Sequence, residues 1–397
     1  MRVLYFTQLF YPAVFGGGEY IFYHWARELT KKGHDVFVIT QSLQGDKSYE
    51  EVDGIKIFRV GSPLKLSGTL PVGILSNISY LLKSYSMGKK IIKENNIDII
   101  HSNTYIPVLS AQWCSKKTNT PHIATVHDVY YTSKNNFWKT WSKQNKISRL
   151  TKFLGPLLEK KIAKTNVALF HTVSQQSKND LESLGVTKLI KIIPNGIDPL
   201  LYDVASKPKP FQAIYVGRLI FYKNIDVIVD AFAIVVKTIP SAQLIIVGDG
   251  PMRSHLFEKI NKLDIQKNIH LKGNISDKQK FKLIQESNVL LNPSLIEGFG
   301  IVVLEGFAAG KPVLVSDSKP LSDLVVDKVD GFVLESGNPK IWAEKIIEVF
   351  TDHNKAKQMG LVGKQKVCEE YSISKLTDDL VCLYNDVIHT LPNKSFT

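Results

Sequence analysis

Cysteine is scarce: Cys114, Cys368 and Cys382 are the only three in 397 residues, odd in number and outside any CxxC or Cys/His spacing. That argues against a disulfide framework and against a thiolate zinc site, and makes a reducing, cytoplasmic setting the expectation. Long apolar runs are missing as well. None approaches the roughly 20 residues that cross a bilayer, so no integral membrane segment is expected. The opening Met1-Arg2-Val3-Leu4-Tyr5-Phe6 reads as a strand, without the apolar core or cleavage site of a signal peptide. There is no short repeat and no low-complexity tract. The GxGxxG fingerprint is also missing, and no ribose-binding acid follows the second strand, which disfavours a dehydrogenase. No DxD-like acidic pair falls in a loop where it would hold a divalent ion.

What is present is an ordinary soluble composition, 44% hydrophobic and 22% charged, in a chain long enough for two cores. The formal charge of +13 is uneven. Residues 1–205 hold 26 Lys and Arg against 15 Asp and Glu, a balance of +11, whereas the remainder, 24 against 22, is nearly neutral. The N-terminal half therefore faces something acidic: nucleic acid, anionic lipid or a phosphate-bearing substrate. No recognition helix, RNA motif or zinc module accompanies the charge, so nucleic acid is not the expected partner.

Short β-branched runs alternate with helical patterns, the signature of parallel sheets covered by helices. The first half offers strands at Val3–Phe6, Val36–Thr40, Ile97–His101, His122–Val126, Val167–Thr172 and Ile190–Ile193. The second half restarts at Ala213–Val216, then Leu244–Val247, Ile269–Leu271, Val289–Leu291, Val313–Val315 and Gly331–Leu334. Polar, proline-bearing Asp203–Pro210 reads as a linker. The expectation is α/β architecture in two Rossmann-like doubly wound domains facing a cleft, residues 1–205 and 206–371, with a helix over 372–390 crossing back to the first. Ligands of such sheets lie outside the carboxyl ends of the strands, which directs attention to the loops there.

Gly16-Gly17-Gly18 follows the first strand and precedes a helix. It is either a phosphate cradle of close backbone and helix N–H groups or simply a tight flexible turn. Arg218 and Lys223, after the first strand of the second half, are either two solvated cations or a clamp for a diphosphate. Gly248-Asp249-Gly250-Pro251 is a turn of modest functional weight. The most informative stretch is Glu297-Gly298-Phe299-Gly300-Ile301-Val302-Val303-Leu304-Glu305, closed by Gly310 and Pro312. Its helix start, from Ile301, offers N–H groups to a diphosphate. Glu305, about a turn inside, can accept both hydroxyls of a ribose and Glu297, on the loop, can meet a sugar; the alternative is an exposed loop acid and a surface-facing helical acid.

This ordered set resembles the family-4 retaining glycosyltransferases of the two-Rossmann-domain (GT-B) type. The likeness rests on Glu297-x7-Glu305, Gly217-Arg218-x4-Lys223, the Gly-rich first loop, Ile193-Pro194-Asn195-Gly196-Ile197-Asp198 and Asp330-Gly331-Phe332-Val333-Leu334, and so spans nearly the whole chain. The resemblance implies that Gly17 and Gly18 approach the donor diphosphate, that Arg218 and Lys223 bind it, that Phe299, Gly300, Ile301 and Val302 are donor-binding, and that Glu305 holds the ribose. It implies that Glu297 and His127, in Thr125-Val126-His127-Asp128, stand beside the reacting sugar; read alone, a single histidine after a strand also suits a structural role. One departure is Ser316-Asp317-Ser318-Lys319-Pro320, where the family often has paired glycines.

The implied reaction moves a sugar from a UDP- or GDP-sugar to a glycan or lipid-linked acceptor with retention. No cofactor and no metal are expected, because Arg218, Lys223 and helix N-termini would stabilise the leaving diphosphate. A same-face route is favoured over a covalent one through Glu297. The base would sit near His270–Gly273, held by backbone groups. Rival readings are a nucleotide-sugar epimerase of the same build, a nucleic-acid- or membrane-binding protein without catalysis, and an inactive scaffold. Residues 134–164 carry nine basic residues against Glu159 alone, interleaved with Phe137, Trp138, Trp141, Leu150, Phe153, Leu154, Leu157 and Leu158. With Leu64–Lys93, they suit peripheral docking on an anionic membrane, the alternative being core helices with a solvated basic face.

Overall fold

The computed structural model describes residues 1–12, 16–64, 74–131, 137–144, 151–203 and 206–390. The chain forms two compact units, residues 1–195 with the segment from Ile373 onward, and residues 196–372.

In the first unit the elements run β1 (Arg2–Phe6), α1 (Gly17–Lys31), β2 (Asp35–Leu43), β3 (Tyr49–Val52), β4 (Ile55–Leu64), α2 (Ile74–Asn95) and β5 (Ile99–Ser102). They continue with α3 (Ile106–Thr118), β6 (His122–Thr125), α4 (Phe137–Gln144), α5 (Thr151–Ala163), β7 (Leu169–Thr172), α6 (Gln175–Ser183) and β8 (Ile190–Ile192). The sheet order is β3-β4-β2-β1-β5-β6-β7-β8, parallel except for the β3–β4 hairpin. Its central strands are apolar on both faces because helices cover both. The α1 helix buries Ile21, Phe22, Trp25, Ala26 and Leu29, one apolar stripe at helical spacing.

The second unit has β9 (Gln212–Val216), α7 (Ile225–Thr238), β10 (Gln243–Val247), α8 (Arg253–Lys262), β11 (Ile269–Gly273), α9 (Asp277–Glu286) and β12 (Val289–Asn292). It closes with α10 (Ile301–Ala308), β13 (Val313–Ser316), α11 (Leu321–Leu324), β14 (Gly331–Leu334), α12 (Pro339–Thr351) and α13 (His353–Glu370). The strand order β11-β10-β9-β12-β13-β14 is that of a doubly wound sheet, all parallel, with its reversal between β9 and β12. The last helix, α14 (Ile373–Thr390), returns to the first unit and buries Ile373, Leu376, Leu380, Tyr384 and Val387 against Trp25 and Leu29.

Two details differ from the sequence expectation. Nothing between residues 40 and 97 reads as a strand, yet β3 and β4 pair there around Asp53-Gly54, both with positive φ (52° and 76°). The β3 strand, Tyr49-Glu50-Glu51-Val52, is a polar edge strand and escapes a search for apolar runs. The unit boundary falls at Asn195/Gly196, ahead of residue 205, because Ile197 N–H donates to the Tyr371 carbonyl at 3.0 Å and pairs with Ser372. Of the expected linker, Val204 and Ala205 lie outside the described residues. Lys209 is anchored, its N–H donating to Glu286 O at 2.7 Å and its Nζ 2.8 Å from the Glu286 carboxylate.

Candidate active site

In the first unit the relevant loops follow β1, β5 and β6. The α1 helix begins at Gly17 after the extended Gly16. A β-carbon on Gly18 would lie 3.0 Å from His127 Cδ2 and 3.5 Å from Asn103 Nδ2, so glycine is what admits the histidine ring. The His127 backbone is pinned by Thr104, whose Oγ1 donates to Thr125 O at 3.2 Å and accepts from His127 N–H at 3.4 Å. Ser177 Oγ donates to His127 O at 2.8 Å. Both His127 ring nitrogens are buried without hydrogen-bond partners among the described residues. Burial first, then the His171 charge, lowers its pKa to about 3, so the imidazole is neutral near pH 7. A buried ring with two unsatisfied nitrogens is expensive in a finished core and suits a site that awaits a ligand.

Beneath it runs a polar chain whose direction follows from its end. His171 Nε2 lies 3.0 Å from the Ile193 carbonyl and must donate there, so its Nδ1 accepts from Thr125 Oγ1 at 2.8 Å. Thr125 Oγ1 then accepts from His101 Nε2 at 2.5 Å, and His101 Nδ1 accepts from Tyr384 OH at 2.6 Å. Tyr384 in turn takes its bond from Tyr5 OH at 3.2 Å. Every link requires neutral imidazoles. Burial enforces that, lowering His171 to about 4 and His101 well below its ordinary value.

In the second unit the loops after β9 and β12 meet at the strand-order reversal. Leu295 N–H donates to Tyr222 O at 2.8 Å, tying the two loops together. The turn over Phe221–Lys223 thereby brings Lys223 Nζ to 2.5 Å from Glu297 Oε1, and Ser294 Oγ reaches the same oxygen at 3.0 Å. Both partners of this pair are mostly buried. Arg218 stands on the same β9 loop, its carbonyl accepting from Tyr215 OH at 3.1 Å. Leu219 N–H donates to Asp249 O at 3.0 Å and Met252 N–H to Leu219 O at 2.9 Å, so the loop after β10 braces it. Ser316, where paired glycines were the expectation, is absorbed structurally: its hydroxyl donates to Ser294 O, behind the Glu297 loop.

Gly300 caps α10 with φ 104°, a left-handed conformation that only glycine adopts cheaply, and a β-carbon there would also strike Leu321 at 2.7 Å. Phe299 is buried, and Ile301 and Val302 open the helix with N–H groups that have no intrahelical acceptor. Glu305 is 3% exposed. Its Oε1 accepts from Tyr202 OH at 2.8 Å and Lys280 Nζ at 2.9 Å. The structure thus gathers Lys223 with Glu297, and Gly18 with His127, each within its own unit. Thr104, Asn103, Ser294, Tyr202 and Lys280 are neighbours that sequence reasoning missed; each is a common residue in an unremarkable local context. His270 to Gly273, the expected base segment, form β11 beside a groove of about 630 Å³ lined by Arg253, Phe257, His270 and Lys272. None of Arg218, Lys223, Glu297 or Glu305 lines it.

Residues 15–200 match the family described as Glycosyltransferase Family 4, and residues 202–366 match Glycosyl transferases group 1. An uncharacterized glycosyltransferase of Methanocaldococcus jannaschii is 30% identical over 72% of this chain and 75% of its own length. The chain belongs to the family-4 glycosyltransferases. The transferase is also 25% identical to the alpha-monoglucosyldiacylglycerol synthase of Streptococcus pneumoniae, over 83% of this chain and 74% of that one. Among solved structures, Anabaena HepE in complex with UDP-glucose superposes with a TM-score of 0.73 at 18% identity, covering 97% of this chain and all of that one, which shows the GT-B fold.

The basic, apolar stretch of the transferase divides between two environments. Lys134, Lys146, Arg149 and Leu150 lie outside the described residues, as does the Trp141 side chain. Trp138, expected as a docking anchor, instead packs on Gly155 and edge-on to Tyr130 and Phe137. Phe137 is buried and stacks on Tyr130 at 3.8 Å. Glu159 is buried too, accepting from Tyr130 N–H at 3.0 Å, and burial raises its carboxyl to about 7. Phe153, Leu154 and Leu157 of α5 point outward, 48–61% exposed, as do Leu75, Ile78 and Leu82 of α2. Of Leu64–Lys93, residues 65–73 lie outside the described residues. No helix among the described residues is long and apolar enough to cross a membrane.

Proposed function

We propose that this transferase moves a hexose from a UDP- or GDP-sugar to a glycan or lipid-linked acceptor, with retention and without a metal ion or other cofactor. The observation that carries the reading is the Lys223–Glu297 pair where the loops after β9 and β12 meet at the sheet's reversal point, with Arg218 on the first of these loops and a helix start nearby that leads to Glu305. Two cations and the N–H groups of a helix start would supply the charge stabilisation that a departing nucleoside diphosphate requires. Glu297 then has the charge to stabilise a positive anomeric carbon. It is already held by Lys223 and Ser294, so its geometry costs nothing at the moment of reaction.

In the same-face route the acceptor hydroxyl oxygen bonds to the anomeric carbon while the bond from that carbon to the phosphate oxygen breaks. The hydroxyl proton passes to the departing phosphate oxygen. His127, neutral and unpartnered, suits a hydrogen bond to a sugar hydroxyl beside that centre. Phe153, Leu154 and Leu157 among lysines suit an anionic leaflet at the cytoplasmic face, in keeping with a relative named for a diacylglycerol glycolipid. The test is a panel of UDP- and GDP-sugars, followed by thermal shift in EDTA and then by turnover with lipid and glycan acceptors. Stabilisation by one donor without metal supports the reading. A donor response that requires magnesium or manganese contradicts it.

A further inference from the structure

The carboxylate of Glu305 is unevenly satisfied. Lys280, on the first turn of α9, places Nζ 2.9 Å from Oε1 and 3.1 Å from Asp277 Oδ1. Tyr202 OH donates to the same Oε1 at 2.8 Å. The other oxygen, Oε2, is buried without a hydrogen-bond partner among the described residues. Carboxylate oxygens accept and never donate, and a buried one without a donor is costly. Two donors on one oxygen and none on the other fix the orientation of the group and leave a single acceptor unspent.

We propose that Lys280 is a positioning residue for the nucleotide. Its ion pair at Oε1 turns Oε2 toward the vicinal hydroxyls of a ribose, which bring two O–H donors to an oxygen that lacks any. The inference rests on the reading of Glu305 as the ribose ligand.

The test measures calorimetric binding of UDP and of 2′,3′-dideoxy-UDP to the full chain, with the GDP pair run in parallel. The wild type is expected to prefer the ribonucleotide by about tenfold or more, as charged hydrogen bonds do. Lys280→Met should lose most of that preference while binding the dideoxy nucleotide nearly as before, and Lys280→Arg should recover part of it. A wild type indifferent to the hydroxyls would overturn the ribose reading of Glu305 itself. A wild type that discriminates beside a Lys280→Met that discriminates equally would overturn only the role of Lys280, as would a variant that weakens both nucleotides alike. Should Lys280→Met fail to fold, Tyr202→Phe removes the other donor to the same carboxylate oxygen. It should narrow the preference in the same sense, and an unchanged preference there counts against the proposal.

Discussion

Gly18, at the start of α1, lies so close to His127 that an added β-carbon would sit 3.0 Å from Cδ2 and 3.2 Å from Nε2 of the ring. A methyl group there must displace either the ring or the first turn of the helix. Alanine is otherwise the better helix former by up to about 1 kcal/mol. Gly18→Ala should therefore leave the melting temperature close to that of the wild type and reduce turnover of the donor selected by the screen. Wild-type turnover in a folded variant would remove this contact from the account.

Lys223 and Glu297 pair at 2.5 Å, so substitution of either releases the other. Glu297→Gln should fold normally and turn over roughly 10- to 100-fold more slowly at saturating donor, the size of a lost charged hydrogen bond. Arg218→Ala should cost about 1.5–3 kcal/mol in kcat/KM. Unchanged kinetics in both variants would take these residues out of the site.

The sheets were legible because their inner strands are continuous β-branched runs, buried on both faces. The β3–β4 hairpin was not, since Glu50 and Glu51 make β3 polar, although Asp53-Gly54 is a hairpin signal that a turn-first reading finds. The loops after β1, β9 and β12 announced themselves through glycine and paired charge. Lys280 did not: one lysine in a polar helix gives no hint that it meets Glu305, 25 positions later. Tyr384 is more remote still, reaching His101 across 283 positions.

That remote contact predicts a stability effect. Tyr384→Phe strips the Nδ1 acceptor of His101 and the hydroxyl of Tyr5 of their shared partner, all three being fully buried. Urea unfolding should show a loss of about 1–3 kcal/mol, the usual cost of an orphaned buried polar group. A loss too small to resolve would mean that the chain from Tyr5 to Ile193 contributes little.

The buried imidazoles also fix a pH dependence. His127, His122, His171 and His101 have folded pKa values depressed below the ordinary 6.5, to about 3, 3 and 4 for the first three. Below pH 6.5 the unfolded chain binds protons that the folded one refuses, so this contribution to stability falls from pH 6.5 toward about 4. Glu159, raised to about 7, acts in the opposite sense between 4.5 and 7, but it is one group against four. The His127 ring resonance should not titrate between pH 5 and 8 by NMR; a midpoint near 6.5 would show that the ring is not buried as described.

The proposed membrane docking would use the outward face of α5. Flotation with anionic vesicles should weaken in Phe153→Ser/Leu157→Ser, which changes exposed positions and spares the packed Trp138. Equal indifference of the wild type to neutral and anionic vesicles would sink the docking claim.

The central claim is transfer from a nucleotide sugar with retention and without metal, and one experiment addresses all of it. The α-configured donor chosen by the screen is incubated with its acceptor in EDTA, and proton NMR reads the anomeric configuration of the first product formed. The account predicts an α-linked product at an undiminished rate. A β-linked product, or transfer that appears only when magnesium or manganese is restored, would contradict it.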